Sequence, residues 1–219
     1  MNFDDARRRM VDEQLAARGI TDARVLAAMG RVPRHRFVAE RLKDEAYGDH
    51  PLPLVHGQTL SQPYMVARMS ELCELTGTER VLEIGAGSGY QTAVLCELCA
   101  QVYAVEIVRE LCEAARARLT ALGYHDFALE GFDGSNGWPE HAPYDAILVA
   151  AGAPAVPPLL LYQLADHGRL VVPVGTRGDQ RLQCIRRKGD QFDTLWDTPC
   201  RFVDLVGRYG WGGEGPAQA

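Results

Sequence analysis

No run in this chain approaches the ~20 consecutive apolar residues that a membrane-spanning helix needs, which excludes a helical span. Basic residues are in the minority, 23 Lys and Arg against 29 Asp and Glu, for a net charge of -6. Proteins that bind a phosphate backbone ordinarily carry a basic excess, so neither nucleic acid nor a membrane is an expected partner. Met1 to Arg9 is charged and no apolar core follows it, so no secretory signal is read there and a cytoplasmic protein is expected. Outside a secretory context six cysteines do not imply a disulfide framework. Cys96-Glu97-Leu98-Cys99 lacks a second Cys or His pair at ligand spacing, which favours two packed thiols over zinc or redox chemistry.

What is present begins with a glycine turn. Val81-Leu82-Glu83-Ile84-Gly85-Ala86-Gly87-Ser88-Gly89-Tyr90 reads as a short apolar strand, three glycines and the start of a helix. Glycine suits such a corner because the tight turn needs positive φ and a ligand must approach bare backbone. The dinucleotide fingerprint G-x-G-x-x-G would require glycine where Tyr90 stands, which disfavours hydride transfer. The observed spacing, E-x-G-x-G-x-G from Glu83, resembles motif I of S-adenosyl-L-methionine (AdoMet) methyltransferases. Glu106 ends the next strand, where a carboxylate can accept from both ribose hydroxyls of a nucleoside. A helix cap or a solvated side chain is the plainer alternative for it.

With 219 residues, 47% hydrophobic and 24% charged, the chain suits one large domain. Asp4 to Arg18 reads as a helix stopped by Gly19, Thr21 as the cap of a second, and a charged helical stretch runs to about Asp44. Together they form a helical cover. Tyr47 to Ser61 is a loop of about fifteen residues with buried-type side chains, the kind that carries function. A helix follows with Pro63 in its first turn. Strands are expected at 80-84, 101-105, 126-130, 144-150, 168-174 and 181-187, and helices at 90-98, 109-121 and 156-165. This alternation predicts an α/β, doubly wound, mostly parallel sheet with ligands at the carboxyl ends of its strands. Antiparallel strands follow Gly175 and end at Arg201 to Val206, and a disordered tail is expected over 212-219. The domain expected is 1-211: cover and substrate loop over 1-75, cofactor-binding core over 76-176, terminal strands over 177-211.

A more specific resemblance lies in the loop. Gly57-Gln58-Thr59-Leu60-Ser61-Gln62-Pro63-Tyr64-Met65-Val66-Ala67 is similar to the signature of the protein-L-isoaspartate O-methyltransferases. Val32-Pro33-Arg34, Gly87-Ser88-Gly89-Tyr90-Gln91-Thr92, Pro173-Val174-Gly175 and Arg201-Phe202-Val203 agree with it in order, from about Arg7 to Gly207. The resemblance implies a Rossmann-like enzyme that uses AdoMet, releases S-adenosyl-L-homocysteine, and methylates the free α-carboxylate of isoaspartyl residues in damaged proteins. The ester then closes to a succinimide whose hydrolysis restores some aspartate. It implies Ser61 as the active-site residue. Gln58, Thr59, Leu60, Ser61, Glu83, Gly85, Gly87, Gly89, Tyr90, Glu106, Asp133 and Gly134 are implied around the cofactor, and Tyr64 and Val203 along the substrate. The enzyme is expected to act as a monomer.

The chemistry assigns the serine a modest part. A carboxylate already ionised at pH 7 needs no general base, so Ser61 is better a hydrogen-bond positioner than a nucleophile, and His35 and His56 have no proton to move. Ser61 as helix N-cap is the competing role. Asp133 before Gly134 is either an adenine contact or a turn residue. Tyr64 either faces substrate or closes the helix entry, and Val203 to Val206 either line a groove or complete the sheet. Two departures from the family pattern carry expectations. Asp204 replaces an apolar position and should point away from an anionic substrate. Val55 replaces a glycine and cannot cheaply take positive φ, so the loop should follow a different path. A generic methyltransferase acting on a small molecule or nucleic acid, and a non-enzymatic binder of damaged protein, are the competing readings. The first has no reason to carry Gly57 to Tyr64, and the second none to keep Glu83, the glycines and Glu106.

Overall fold

A computed structural model describes residues 2–212 of the chain; beyond Gly212, the tail expected over 212-219 lies outside the described residues. The cover starts with Asn2, whose side-chain oxygen accepts from the N–H groups of Asp4 and Asp5 and caps α1 (Phe3–Arg9). The rod continues through a wider turn at Met10–Leu15 and a tighter one at Ala16–Arg18 before Gly19 (φ 92°) ends it. Helix α2 (Ala23–Arg31) is capped by Asp22, not by Thr21. Thr21 is drawn elsewhere: its N–H donates to the Glu71 carboxylate at 2.7 Å. Short helical turns at Arg34–Phe37 and Glu40–Glu45 complete the cover.

The loop after Tyr47 is a small antiparallel hairpin, β1 (Leu52–Pro53) against β2 (Thr59–Leu60). The left-handed positions fall on His56 (φ 57°) and Gly57 (φ 69°), so Val55 is not asked for positive φ and the turn closes without a glycine there. Helix α3 (Pro63–Leu72) follows with Pro63 in its first turn and buries Met65, Val66, Met69 and Leu72.

The remaining elements alternate: β3 (Arg80–Ile84), α4 (Tyr90–Cys96), β4 (Gln101–Val105), α5 (Arg109–Ala121), β5 (Phe127–Glu130), β6 (Tyr144–Val149), α6 (Pro158–Tyr162), β7 (Leu164–Gly175), β8 (Gln180–Lys188) and β9 (Gln191–Cys200). The sheet order is β5-β4-β3-β6-β7-β8-β9, parallel as far as β7 and antiparallel beyond. The chain winds outward from β3 to β5, then returns to the other side of β3 with β6. Ligands of such sheets bind in the crevice at that reversal, outside the carboxyl ends of the strands. Ile84 is in register with Val105 on one side and Val149 on the other, so the three strand ends form one rim.

The period-two alternation divides the core. Val81, Ala146, Leu148 and Val171 pack under the cover, α3, α4 and α5. Leu82, Ile84, Ile147, Val149 and Leu170 pack on the opposite face with Leu160 of α6. Ala146 to Val149 are wholly inaccessible, as a central strand covered on both faces must be. Among the described residues no helix is long and apolar enough to cross a membrane.

Two expectations fail at the carboxyl-terminal half. Helix α6 has five residues rather than spanning 156-165, and β7 starts at Leu164. His167 (φ 64°) and a register shift between Tyr144 and Ala146 let the chain re-enter the sheet before Gly168. Arg201 to Val206 is not a strand. The outermost strand is β9, and the following segment turns back over the strand ends, where Gly152 N–H donates to Val203 O (2.7 Å) and Leu205 N–H to Gly152 O (2.8 Å).

Candidate active site

The glycine corner sits on the rim. Gly85 (φ 89°) and Gly87 (φ 55°) hold conformations that side chains resist, and the N–H groups of Gly85 and Ala86 both donate to Val105 O, at 2.8 and 3.1 Å. Glu106 locks the corner from β4. One carboxylate oxygen accepts from Gly87 N–H and the other from Val108 N–H, both at 2.8 Å, and the residue is 5% exposed. Each oxygen retains a further acceptor position.

Two adjoining cavities open over this corner and share Thr59, Gly85, Gly87 and Ala150. The larger lies at the carboxyl ends of β3 and β4, against Ile84 and Val105. It is bordered by Gln58 and Thr59 from the hairpin, Glu106 and Ile107 from the end of β4, Gly134, and Val203 from the returning segment. Leu60, Ser61 and Phe202 border the smaller cavity. The hairpin and the glycine turn therefore face one cleft from opposite sides.

Ser61 is not a helix cap. That position belongs to Gln62, and among the described residues no protein group hydrogen-bonds the Ser61 hydroxyl. The Ser61 carbonyl is held instead, accepting from Arg34 Nη2 at 2.8 Å. Arg34 is wholly buried, donates through Nε to Ala46 O at 2.7 Å, and lies 4.8 Å from the centroid of the Tyr90 ring. Burial lowers its pKa, partly offset by Tyr90.

The family model for protein-L-isoaspartate(D-aspartate) O-methyltransferase matches residues 6–210. The chain belongs to this family. A Geotalea uraniireducens protein-L-isoaspartate O-methyltransferase 2 is 53% identical, covering 98% of this chain and 99% of its own. The Pelobacter propionicus protein-L-isoaspartate O-methyltransferase 1 is 55% identical, over 96% of this chain and 100% of its own. A solved protein-L-isoaspartate O-methyltransferase superposes with a TM-score of 0.84 at 30% identity, covering 93% of this chain and 67% of that one. A Plasmodium falciparum structure, described as a beta-aspartate methyltransferase in complex with S-adenosyl-L-homocysteine, gives 0.77 at 26% identity, over 91% and 98% of the two chains. The chain is thus an AdoMet-dependent methyltransferase of isoaspartyl residues, and the generic-methyltransferase and binder readings fall away.

Several residues expected at the cofactor of this methyltransferase, and Tyr64 expected along the substrate, do not border the cleft. Tyr90 is fully buried against Phe37 and Arg34 on the far side of the turn. Gly89 heads α4 and backs onto α5, where an added Cβ would stand 3.3 Å from Ala115 Cβ. Tyr64 stacks under Arg18, whose guanidinium carbon is 3.8 Å from the ring centroid. Asp133 behaves as the turn residue. Its carboxylate accepts from Ser135 N–H, Ser135 Oγ–H and Arg208 N–H, which ties the returning segment down. Burial opposes its charge, but those bonds outweigh it and the pKa is lowered. Gly134 beside it does border the cleft, where a Cβ would come within 2.7 Å of Ile84 Cγ2.

Asp204 borders the cleft. Its carboxylate is paired with Arg177 Nε at 2.7 Å, and the Arg177 guanidinium carbon lies 4.7 Å from the Trp211 ring centroid. Arg34 and Ile107 went unweighed in the sequence. Val32 to Val38 carries Arg34, His35 and Arg36 side by side, so nothing in the sequence singles out Arg34; Ile107, 45% exposed directly after Glu106, leaves no signal until the cleft is seen.

Glu83 lies beneath the turn, wholly buried, and among the described residues neither carboxyl oxygen has a partner in hydrogen-bond geometry. Burial pushes its pKa from 4.5 up to about 8. The nearby Thr92 hydroxyl works against this rise and the Glu106 carboxylate adds to it. A carboxyl held neutral in the fold but ionised in the unfolded chain costs stability as pH climbs from about 4.5 towards 8, with no penalty below that window. Glu83→Gln should therefore flatten the fall in stability over that range and gain about 1–3 kcal/mol at pH 8. Urea melts at pH 5.5, 7 and 8.5 measure it, and parallel pH profiles for both proteins would show that Glu83 carries no such cost.

Proposed function

We propose that the cleft holds AdoMet along the glycine corner and the isoaspartyl carboxylate against the hairpin. What supports this most directly is Ser61: a hydroxyl on the cleft wall, without a protein partner, carried by a strut to Arg34. In this reading Glu106 accepts from the ribose hydroxyls through its remaining lone pairs. Bare backbone at Gly85 and Gly87 gives the cofactor close approach, and Gln58, Thr59, Leu60 and Gly134 enclose it. Val203 lines the path of the substrate.

Bound AdoMet supplies an electrophilic methyl on a sulfonium. The substrate α-carboxylate has a pKa near ~3.5 and arrives ionised, so this chain's residues have no proton to move. Their task is to align the carboxylate oxygen with the methyl carbon and keep water out while opposite charges are neutralised. Ser61 donates one hydrogen bond that fixes the oxygen not in flight.

Residues 1–211 act as one domain in this proposal, since one packed cluster joins Met10 and Leu15 of the cover to Val81 and Leu182 of the sheet. The enzyme works as a cytoplasmic monomer with no nucleic-acid or membrane partner. The thiols are consistent with a reducing compartment: all six cysteines are free, and burial raises Cys96 and Cys99 above the ordinary range. Tritiated AdoMet with matched isoaspartyl and aspartyl peptides tests the whole reading. Label should enter the isoaspartyl peptide at least about a hundredfold faster, a factor that ~3 kcal/mol of differential transition-state binding supplies. Equal labelling of the two peptides would defeat it.

A further inference from the structure

We propose that a recess behind the hairpin is a subsite for an acidic side chain of the substrate polypeptide flanking the isoaspartyl residue. This rests on the reading above that the hairpin grips the acceptor.

The recess lies between the Arg34–Phe37 turn, the hairpin and α5, and its volume of about 290 Å³ has room for a carboxylate side chain. Phe37, Leu54 and Leu111 make its apolar walls, and it shares Ser88 with the inner cavity. Leu54 is the partition: its Cδ1 lies 3.7 Å from where a Cβ on Gly87 would stand. Val55, 58% exposed, forms the lip, so a polypeptide crossing the hairpin meets this opening next.

Its charges are unbalanced in one direction. Arg118 is half-buried on the wall, and among the described residues it has no carboxylate partner. One of its five N–H donors is used, Nη1 to Ser88 O at 2.7 Å, and the guanidinium carbon stands 5.9 Å from the Phe37 ring centroid. Burial is the sole influence on its pKa and lowers it, so no neighbouring acid returns what desolvation removes. Arg41, exposed at the rim, also has no ion pair among the described residues. The acid on the wall, Glu110, is engaged by His56 Nε2 from the hairpin tip.

Arg68 is paired with Glu71 and Asp197 and Arg177 with Asp204, and Arg34, Arg80 and Arg187 each spend two N–H groups on carbonyls or hydroxyls, whereas Arg118 spends one and lies on an open recess. A desolvated guanidinium with a free planar fork is geometrically and electrostatically suited to a carboxylate. In a chain of net charge -6 this is a local cationic spot beside the proposed acceptor path.

The test is a set of isoaspartyl peptides carrying Glu or Gln at each position from three before to three after the isoaspartate, assayed for kcat/KM. The wild-type enzyme should prefer Glu by about five- to twentyfold at one position, chiefly through KM, the scale of one charge-assisted hydrogen-bonded pair. Arg118→Met should erase that preference while turnover of the matching Gln peptide stays within about twofold, and Arg118→Lys should keep part of it. Arg41→Gln, at the exposed rim, should weaken the preference without threatening the fold. Affinity for S-adenosyl-L-homocysteine should be unchanged in all three; a fall confined to Arg118→Met would assign the guanidinium to the cofactor and overturn the subsite. So would equal rates for Glu and Gln peptides at every position, or a preference that survives both Arg118→Met and Arg41→Gln. Failure to methylate even the Gln peptides would strike the acceptor reading itself, a different result from methylation without preference.

Discussion

Glu106→Ala should weaken S-adenosyl-L-homocysteine binding by about a hundred- to ten-thousandfold in calorimetric titration. Two charge-assisted hydrogen bonds to ribose hydroxyls are lost, each worth about 1.5–3 kcal/mol, which sums to roughly that factor. The carboxylate also holds the corner, so its loss frees Gly87 N–H and Val108 N–H together. The size of the effect thus combines a missing contact and a loosened cradle. Glu106→Gln separates them: one amide atom still accepts from Gly87 N–H, but the other is an NH₂ facing Val108 N–H, a donor against a donor. It should bind more tightly than the alanine variant and well below wild type. Affinity within threefold of wild type in Glu106→Ala would remove Glu106 from the ribose.

Ser61→Ala should lower kcat/KM for an isoaspartyl peptide by about 10- to 100-fold, the worth of one hydrogen bond to a charged acceptor. Cofactor affinity should move less than about twofold. The hydroxyl supports no helix end, and the backbone carbonyl that anchors the residue to Arg34 survives the substitution. Stability should therefore stay within about 0.5 kcal/mol, the usual range for a change that breaks no buried contact. Single-turnover rates decide between roles. A drop in the methyl-transfer step places the hydroxyl on the reacting carboxylate, whereas unchanged turnover excludes it as the positioner.

The legible parts of the chain were those where local pattern and packing agree. Val81 to Ile84 and Ala146 to Val149 read as buried strands because nearly every side chain there is apolar, and the glycine spacing marked the turn between β3 and α4. In the structure Gln58, Thr59, Leu60 and Ser61 border the cleft with Gly85 and Gly87, although no periodicity foretold a hairpin. What escaped has long-range causes. Arg201 to Val206 is as apolar as a strand, yet it follows the cleft because Gly152 and Asp133 capture its backbone and that of Arg208. β9 carries Asp193, Asp197 and Pro199, which suit an edge and mute the strand signal. Glu83 matches a cofactor motif in sequence, but its side chain points into the interior, a matter of strand phase that one residue's identity does not reveal.

Arg34 has a consequence for how this architecture can be divided. Its guanidinium holds the carbonyl of the residue proposed to grip the acceptor and lies 4.8 Å from the ring of Tyr90 at the head of α4, so the acceptor loop is braced against the donor-binding core. Transplanting the glycine corner into another methyltransferase would carry over the donor grip without the selectivity. In the proposed reading that selectivity needs the hairpin on its Arg34 support together with the returning segment at Val203.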